Sequence, residues 1–85
     1  MASRKYIKKA LNNMVFDIVE ECFTIQLFDE TKTEKTNVII NEAADFQDAV
    51  LAEISKAKTK QDFAPINTKI EESALEFINK LNSLN

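Results

Sequence analysis

Eighty-five residues with a formal net charge of -3, one cysteine and no histidine exclude several chemistries at once. A lone Cys22 closes no internal disulfide, and one Cys without His supplies no tetrahedral zinc site. With no Gly and one Pro, the chain lacks the residues that tight hairpins and phosphate-cradling loops use for positive φ, which points to an all-α fold with short polar connections. A chain this short buries only about 60% of its unfolded surface. Without a covalent or metal staple, the expectation is tight helix packing, association with another chain, or both.

The first helix is expected over residues 4–28, with Ser3 as its N-cap. Ile7, Leu11, Met14, Ile18, Cys22 and Ile25 recur at the helical period, and Val15 and Val19 widen that face. On a helical wheel, Phe16, Phe23 and Leu27 fall about 120–180° from this stripe. Two readings follow. Either this helix is the most buried of the bundle, with the other two helices wrapped around it or Phe28 and the next loop folded over the second stripe, or Phe16, Val19, Phe23 and Leu27 meet another chain. The same helix opens with Arg4, Lys5, Lys8 and Lys9 and has no acid before Asp17. These cations stand at the positive end of the helix dipole, the unfavourable end. The basic, acid-free opening has the look of a transit peptide, but Arg and Ser are scarce and the apolar face continues past Asp17.

Residues 29–33 read as the first connection, in which Thr31 and Glu34 have capping-box spacing and Thr33 is a competing cap. The stretches CFTIQLF and TNVII compete as a β-hairpin on either side of this segment, a weak signal without Gly or an Asn-Gly turn.

A second helix is expected over residues 34–58, with Ile39, Ala43, Phe46, Val50, Ile54 and Ala57 on its apolar face. Lys56 and Lys58 suit its C-terminal dipole. Residues 59–61 form the second connection. Asp62 is the expected N-cap of a third helix over residues 63–82, with Pro65 in its first turn, where a missing N–H costs nothing. Phe63, Ile66, Ile70, Ala74, Phe77, Leu81 and Leu84 form the apolar face of that helix. Ile40, Leu51 and Leu75 are flank residues. At 1.5 Å per residue the helices come to roughly 37, 37 and 30 Å. Matched lengths and short loops imply an up-down-up three-helix bundle over residues 1–85, one domain without repeats.

Chemistry finds little footing. Without His there is no ordinary proton shuttle near neutral pH, and no Ser-His-Asp set or phosphate loop is present. Cys22 lies on the core stripe and reads as a structural thiol. Asp17, Glu20, Glu21, Glu42, Asp45 and Asp48 read as a solvated acidic face. Carboxylate-bridged metal bundles add His, which this chain lacks, and no loop has metal-ligand spacing. The expectation is no enzyme, no cofactor, no metal and no small-molecule substrate.

Charge is segregated instead. Residues 1–9 carry +4, residues 10–54 carry -8, residues 55–69 carry +3 and residues 70–85 carry -2. In an up-down-up bundle, Arg4, Lys5, Lys8 and Lys9 share one pole with Lys56, Lys58 and Lys60, and Asp29, Glu30 and Glu34 mark the other. The leading expectation is therefore a non-enzymatic protein–protein interaction module or structural protein. It is read as a component of a larger assembly or a homo-oligomer, docking through the second stripe and the basic pole. Lys, Asn and Ile make up 27 of 85 residues, a composition that fits an AT-rich bacterial or phage genome. Two other uses are open. The basic pole, with Tyr6 as a stacking residue, suits nucleic acid, although the acidic balance counts against this. The Glu20–Glu53 region suits an acidic inhibitor or regulator of another protein. No apolar run approaches the roughly 20 residues of a membrane span, and Asn12, Asn13 and Asp17 interrupt any signal-peptide core. The expected location is cytoplasmic or within an assembled particle.

Overall fold

The computed structural model describes residues 4–84. Its elements are helix α1 (Arg4–Phe28), a 3-10 turn (Glu30–Lys32), helix α2 (Thr33–Lys56) and helix α3 (Lys60–Ser83). Ser3, the expected cap of α1, lies outside the described residues. The segments that competed for a hairpin are both helical, and no strand occurs among the described residues.

Side-chain bonds between helices define the topology. Asn12 accepts from Gln47 Nε2 at 2.8 Å, and Gln26 Nε2 donates to Thr36 Oγ1 at 2.7 Å and to Asn37 Oδ1 at 2.9 Å. Rising numbers on α1 meet falling numbers on α2, so the pair is antiparallel. Lys69 reaches Glu53 at 3.1 Å and Lys80 reaches Glu42, so α2 and α3 are antiparallel too. The result is an up-down-up three-helix bundle measuring 45 × 17 × 15 Å.

One core runs the length of the bundle. α1 contributes Ile7, Leu11, Val15, Ile18, Cys22 and Ile25; α2 contributes Ile39, Ala43, Val50 and Ile54, with Ala57 just beyond it; α3 contributes Phe63, Ile66, Ile70, Phe77 and Leu81. Burying a residue of Leu or Phe size stabilises by about 1.5–3 kcal/mol. An exposed ion pair contributes about 0–1 kcal/mol. The five buried residues of α3 therefore hold it far more than Lys69–Glu53 or Lys80–Glu42. Phe46 and Phe77 add an edge-to-face contact, ring centres 6.2 Å apart, and Lys80 sits over the Phe77 ring. Thr36 is the buried polar residue among those described; its hydroxyl donates back to the Lys32 or Thr33 carbonyl and accepts from Gln26.

The helix boundaries differ from the sequence expectation in three places. The Thr31–Glu34 capping box does not form, because Asp29 captures Thr31: its Oδ1 accepts from the Thr31 N–H at 3.0 Å and from the Thr31 hydroxyl. The resulting 3-10 turn runs straight into α2, whose first flanking residue, Lys32, makes no side-chain cap bond. α2 stops at Lys56 rather than residue 58, since Ala57 turns to extended backbone, φ -71° and ψ 136°. Finally, α3 starts at Lys60 rather than residue 63. Thr59 is the cap: its Oγ1 accepts from the Asp62 N–H, and Asp62 Oδ2 accepts from the N–H groups of Lys58 and Thr59. This is a reciprocal capping box in which Asp62 is the third residue, not the cap. Pro65 consequently lies inside α3, beyond the first turn.

Candidate protein interface

α1 carries two faces. The core face packs against α2 and α3. On the other, Phe16, Phe23 and Leu27 lie within about 40° of one another at 100° per residue, and they are 64%, 53% and 85% exposed. Val19 stands at the edge of this face but is half-buried and packs against the core, so it anchors the stripe rather than displaying it. Nothing folds over the stripe from the turn, since Phe28 is itself 86% exposed. The reading of α1 as a helix wrapped on all sides is thereby overturned.

The stripe lies on the α1 side of the α1–α2 seam. Asn12, Val19 and Gln26 mark that seam on α1, through the bonds of Asn12 to Gln47 and of Gln26 to Thr36 and Asn37. Ile40 and Leu51 of α2 are half-buried against the core. The α1–α3 seam is more open: a hollow of about 460 Å³ is lined there by Met14, Ile18, Ala74, Ile78 and Leu81, with Asp17, Glu21 and Asn82 at its rim. Leu75 and Ile78 of α3 are also exposed. The hollow was not anticipated. Its signal in the sequence is Ile78, an apolar residue of α3 off the core stripe.

Sequence-distant cations come together at one end. Arg4 Nη2 donates to the Ala57 carbonyl at 2.7 Å, which ties the start of α1 to the α2–α3 connection between Lys56 and Lys58. Arg4, Lys5, Lys8, Lys9, Lys56, Lys58 and Lys60 thus share one end of the bundle. Among the described residues, the six lysines of this set form no ion pair. Lys5, Lys8 and Lys9, with Arg4, Asn12 and Asn13, line a shallow open hollow of about 670 Å³ on α1. The first turn of α1 holds no acid and its last turn no base, so its charges oppose the dipole at the N-terminus and do nothing for it at the C-terminus. The opposite end holds Asp29, Glu30 and Glu34. Lys32 and Lys35 stand there too, and Lys32 approaches Asp29 at 3.8 Å, which makes that end mixed rather than uniformly acidic.

Cys22 is buried, and burial, with a smaller effect from Glu21, pushes its thiol above the ordinary range. A thiol held neutral this way is a weak nucleophile. Among the described residues, no three His, Cys, Asp or Glu side chains are grouped as metal ligands, and no helix is long and apolar enough to cross a membrane. Comparison of the chain with protein-family models, curated proteins and solved structures gives no match.

Proposed function

We propose that the chain is a non-enzymatic protein–protein interaction module that docks through the outer face of α1. The observation that carries this is the aligned exposure of Phe16, Phe23 and Leu27 on a helix whose opposite face fills the core. A contiguous aromatic patch on so small a chain marks a contact surface. It also supplies burial that a domain this size lacks by itself. The setting that suits such a module is a larger assembly, of a bacterium or a phage, or a homo-oligomer.

Magnitudes set the terms of that docking. Covering three large side chains that are already partly buried returns roughly 3–6 kcal/mol. Association costs at least about 4 kcal/mol in lost freedom of motion. The stripe alone therefore gives weak binding, and the charged ends have to add steering and register. Lys5, Lys8 and Lys9 at one end of the face, which form no ion pair among the described residues, suit that role.

The test is the double substitution Phe16→Glu and Phe23→Glu. Because both side chains are more than half exposed, helicity and melting temperature are expected to hold while complex formation is lost. A variant that melts early instead would assign the two rings to the core. The competing use of the basic end is phosphate binding. A salt titration with duplex and single-stranded DNA addresses it: this account expects no affinity at low salt, and strong binding with a steep salt slope would replace it.

A further inference from the structure

The charge at the two ends of the α1 face identifies its occupant. We propose that a second copy of this chain lies antiparallel across it, related by a two-fold axis. This rests on the reading of the face as a docking surface and specifies what docks there.

The face runs Lys5, Lys9, Asn12, Phe16, Glu20, Phe23 and Leu27, in steps of three and four residues. A two-fold interface must be self-complementary, because the same patch meets itself reversed. Continued past Leu27 by Glu30 of the 3-10 turn and Glu34 of α2, the surface has lysines at one end, aromatic rings in the middle, and these two acids beside Lys32 and Lys35 at the other end. An axis crossing α1 midway between Phe16 and Phe23 sets Phe16 of each copy against Phe23 of the other. The same register brings Lys9 toward the turn that follows α1, where Glu30 stands. Glu34 lies at the same end, because the first turn of α2 is bonded through Thr36 to Gln26. Neither Glu30 nor Glu34 forms an ion pair among the described residues, and nor do Lys5, Lys8 and Lys9.

Each end therefore carries unsatisfied charge of the sign the other needs, yet the two cannot meet within one chain. Lys9 and Leu27 are about 27 Å apart along the helix, well beyond the screening length of about 8 Å at physiological salt. A reversed second copy brings them together twice. A parallel copy would set the lysine cluster against itself. Of the other cations at the acidic end, Lys32 is engaged with Asp29, and Lys35 is about 100° round α2 from Glu34. Glu20 is the one acid within the stripe; it lies beside the axis on the flank away from α2, at the solvent-open rim, where the two copies of Glu20 stand near each other.

A charge-swap mixing experiment tests the arrangement. Three proteins are compared by size exclusion with light scattering: the wild type, Lys5→Glu/Lys9→Glu, and Glu30→Lys/Glu34→Lys. The wild type is expected at the mass of two chains. Each variant alone places like charges at both junctions and is expected at the 9.7 kDa of one chain. Mixed one to one, the two variants restore opposite charges at both junctions, and the mass of two chains is expected to return. Circular dichroism on each variant guards against simple unfolding. Variants that stay dimeric alone, or a folded mixture that stays monomeric, overturn the antiparallel register. A wild type monomeric at hundreds of micromolar overturns self-pairing altogether. The docking-surface reading fails separately, if Phe16→Glu/Phe23→Glu unfolds the chain.

Discussion

Single residues set this fold's ends and seams, and several are not the residues that periodicity picks out. Thr36 is fully buried between α1 and α2, where its hydroxyl joins Gln26 to the start of α2. A polar residue does not register in an apolar pattern, so the apolar face expected for α2 begins at Ile39 and misses Thr36, although the start of the helix is expected at residue 34 and falls at Thr33. Asp62 is similar: its carboxylate was legible as a helix-start signal but not as the third residue of a box whose cap is Thr59. The hydrogen bonds from the Lys58 and Thr59 N–H groups, then the Thr59 side chain, hold the Asp62 carboxyl below its ordinary value of 3.8. Asp29 is lowered in the same direction, chiefly by the Thr31 hydroxyl and N–H. Both groups bind protons less readily folded than unfolded. The stability they contribute is complete above the ordinary value and drains away as pH falls through the lowered folded values. Urea titrations between pH 6 and about pH 2 are expected to show this loss, and Asp62→Asn to flatten part of it. An unchanged pH profile in Asp62→Asn would remove the carboxylate from the cap.

At the scale of elements, apolar spacing predicts that there are three helices and which way each faces. It does not predict how tightly each pair closes. Met14 was expected in the core with Val15 beside it. The structure reverses them: Val15 belongs to the buried core, while Met14 is partly buried and lines the hollow between α1 and α3. Ala74 and Phe46 are half-buried for related reasons: both belong to contacts of α3, the looser of the three helices. Pro65 bears on the same helix. Placed inside α3, it leaves the Gln61 carbonyl without its helical N–H donor. Pro65→Ala is expected to stabilise the bundle by about 1–2 kcal/mol, the restored helix bond outweighing the looser unfolded chain. A urea midpoint that falls instead would show that the proline's ring packs where the structure leaves it exposed.

The described residues form a rod with the outer face of α1 exposed, a cluster of cations at one end and mixed charge at the other. Segregated charge was visible in the sequence. That the two basic segments meet needed the fold, and the Arg4–Ala57 bond shows where they meet. The exposure of the second stripe needed it too, because a helical wheel shows that two faces are apolar but not which of them other helices cover. On the proposed reading, function at this scale is association: the face is open in one chain and would be covered in an assembled form. Side-chain footprinting by hydroxyl radicals across a dilution series reads that difference most directly. Phe16, Phe23 and Leu27 are expected to be labelled in dilute solution and protected in concentrated solution, while Leu11 and Ile54 are protected throughout. Protection of the three at every dilution would place them in the core, and labelling of all three at every concentration would show that no second copy covers them.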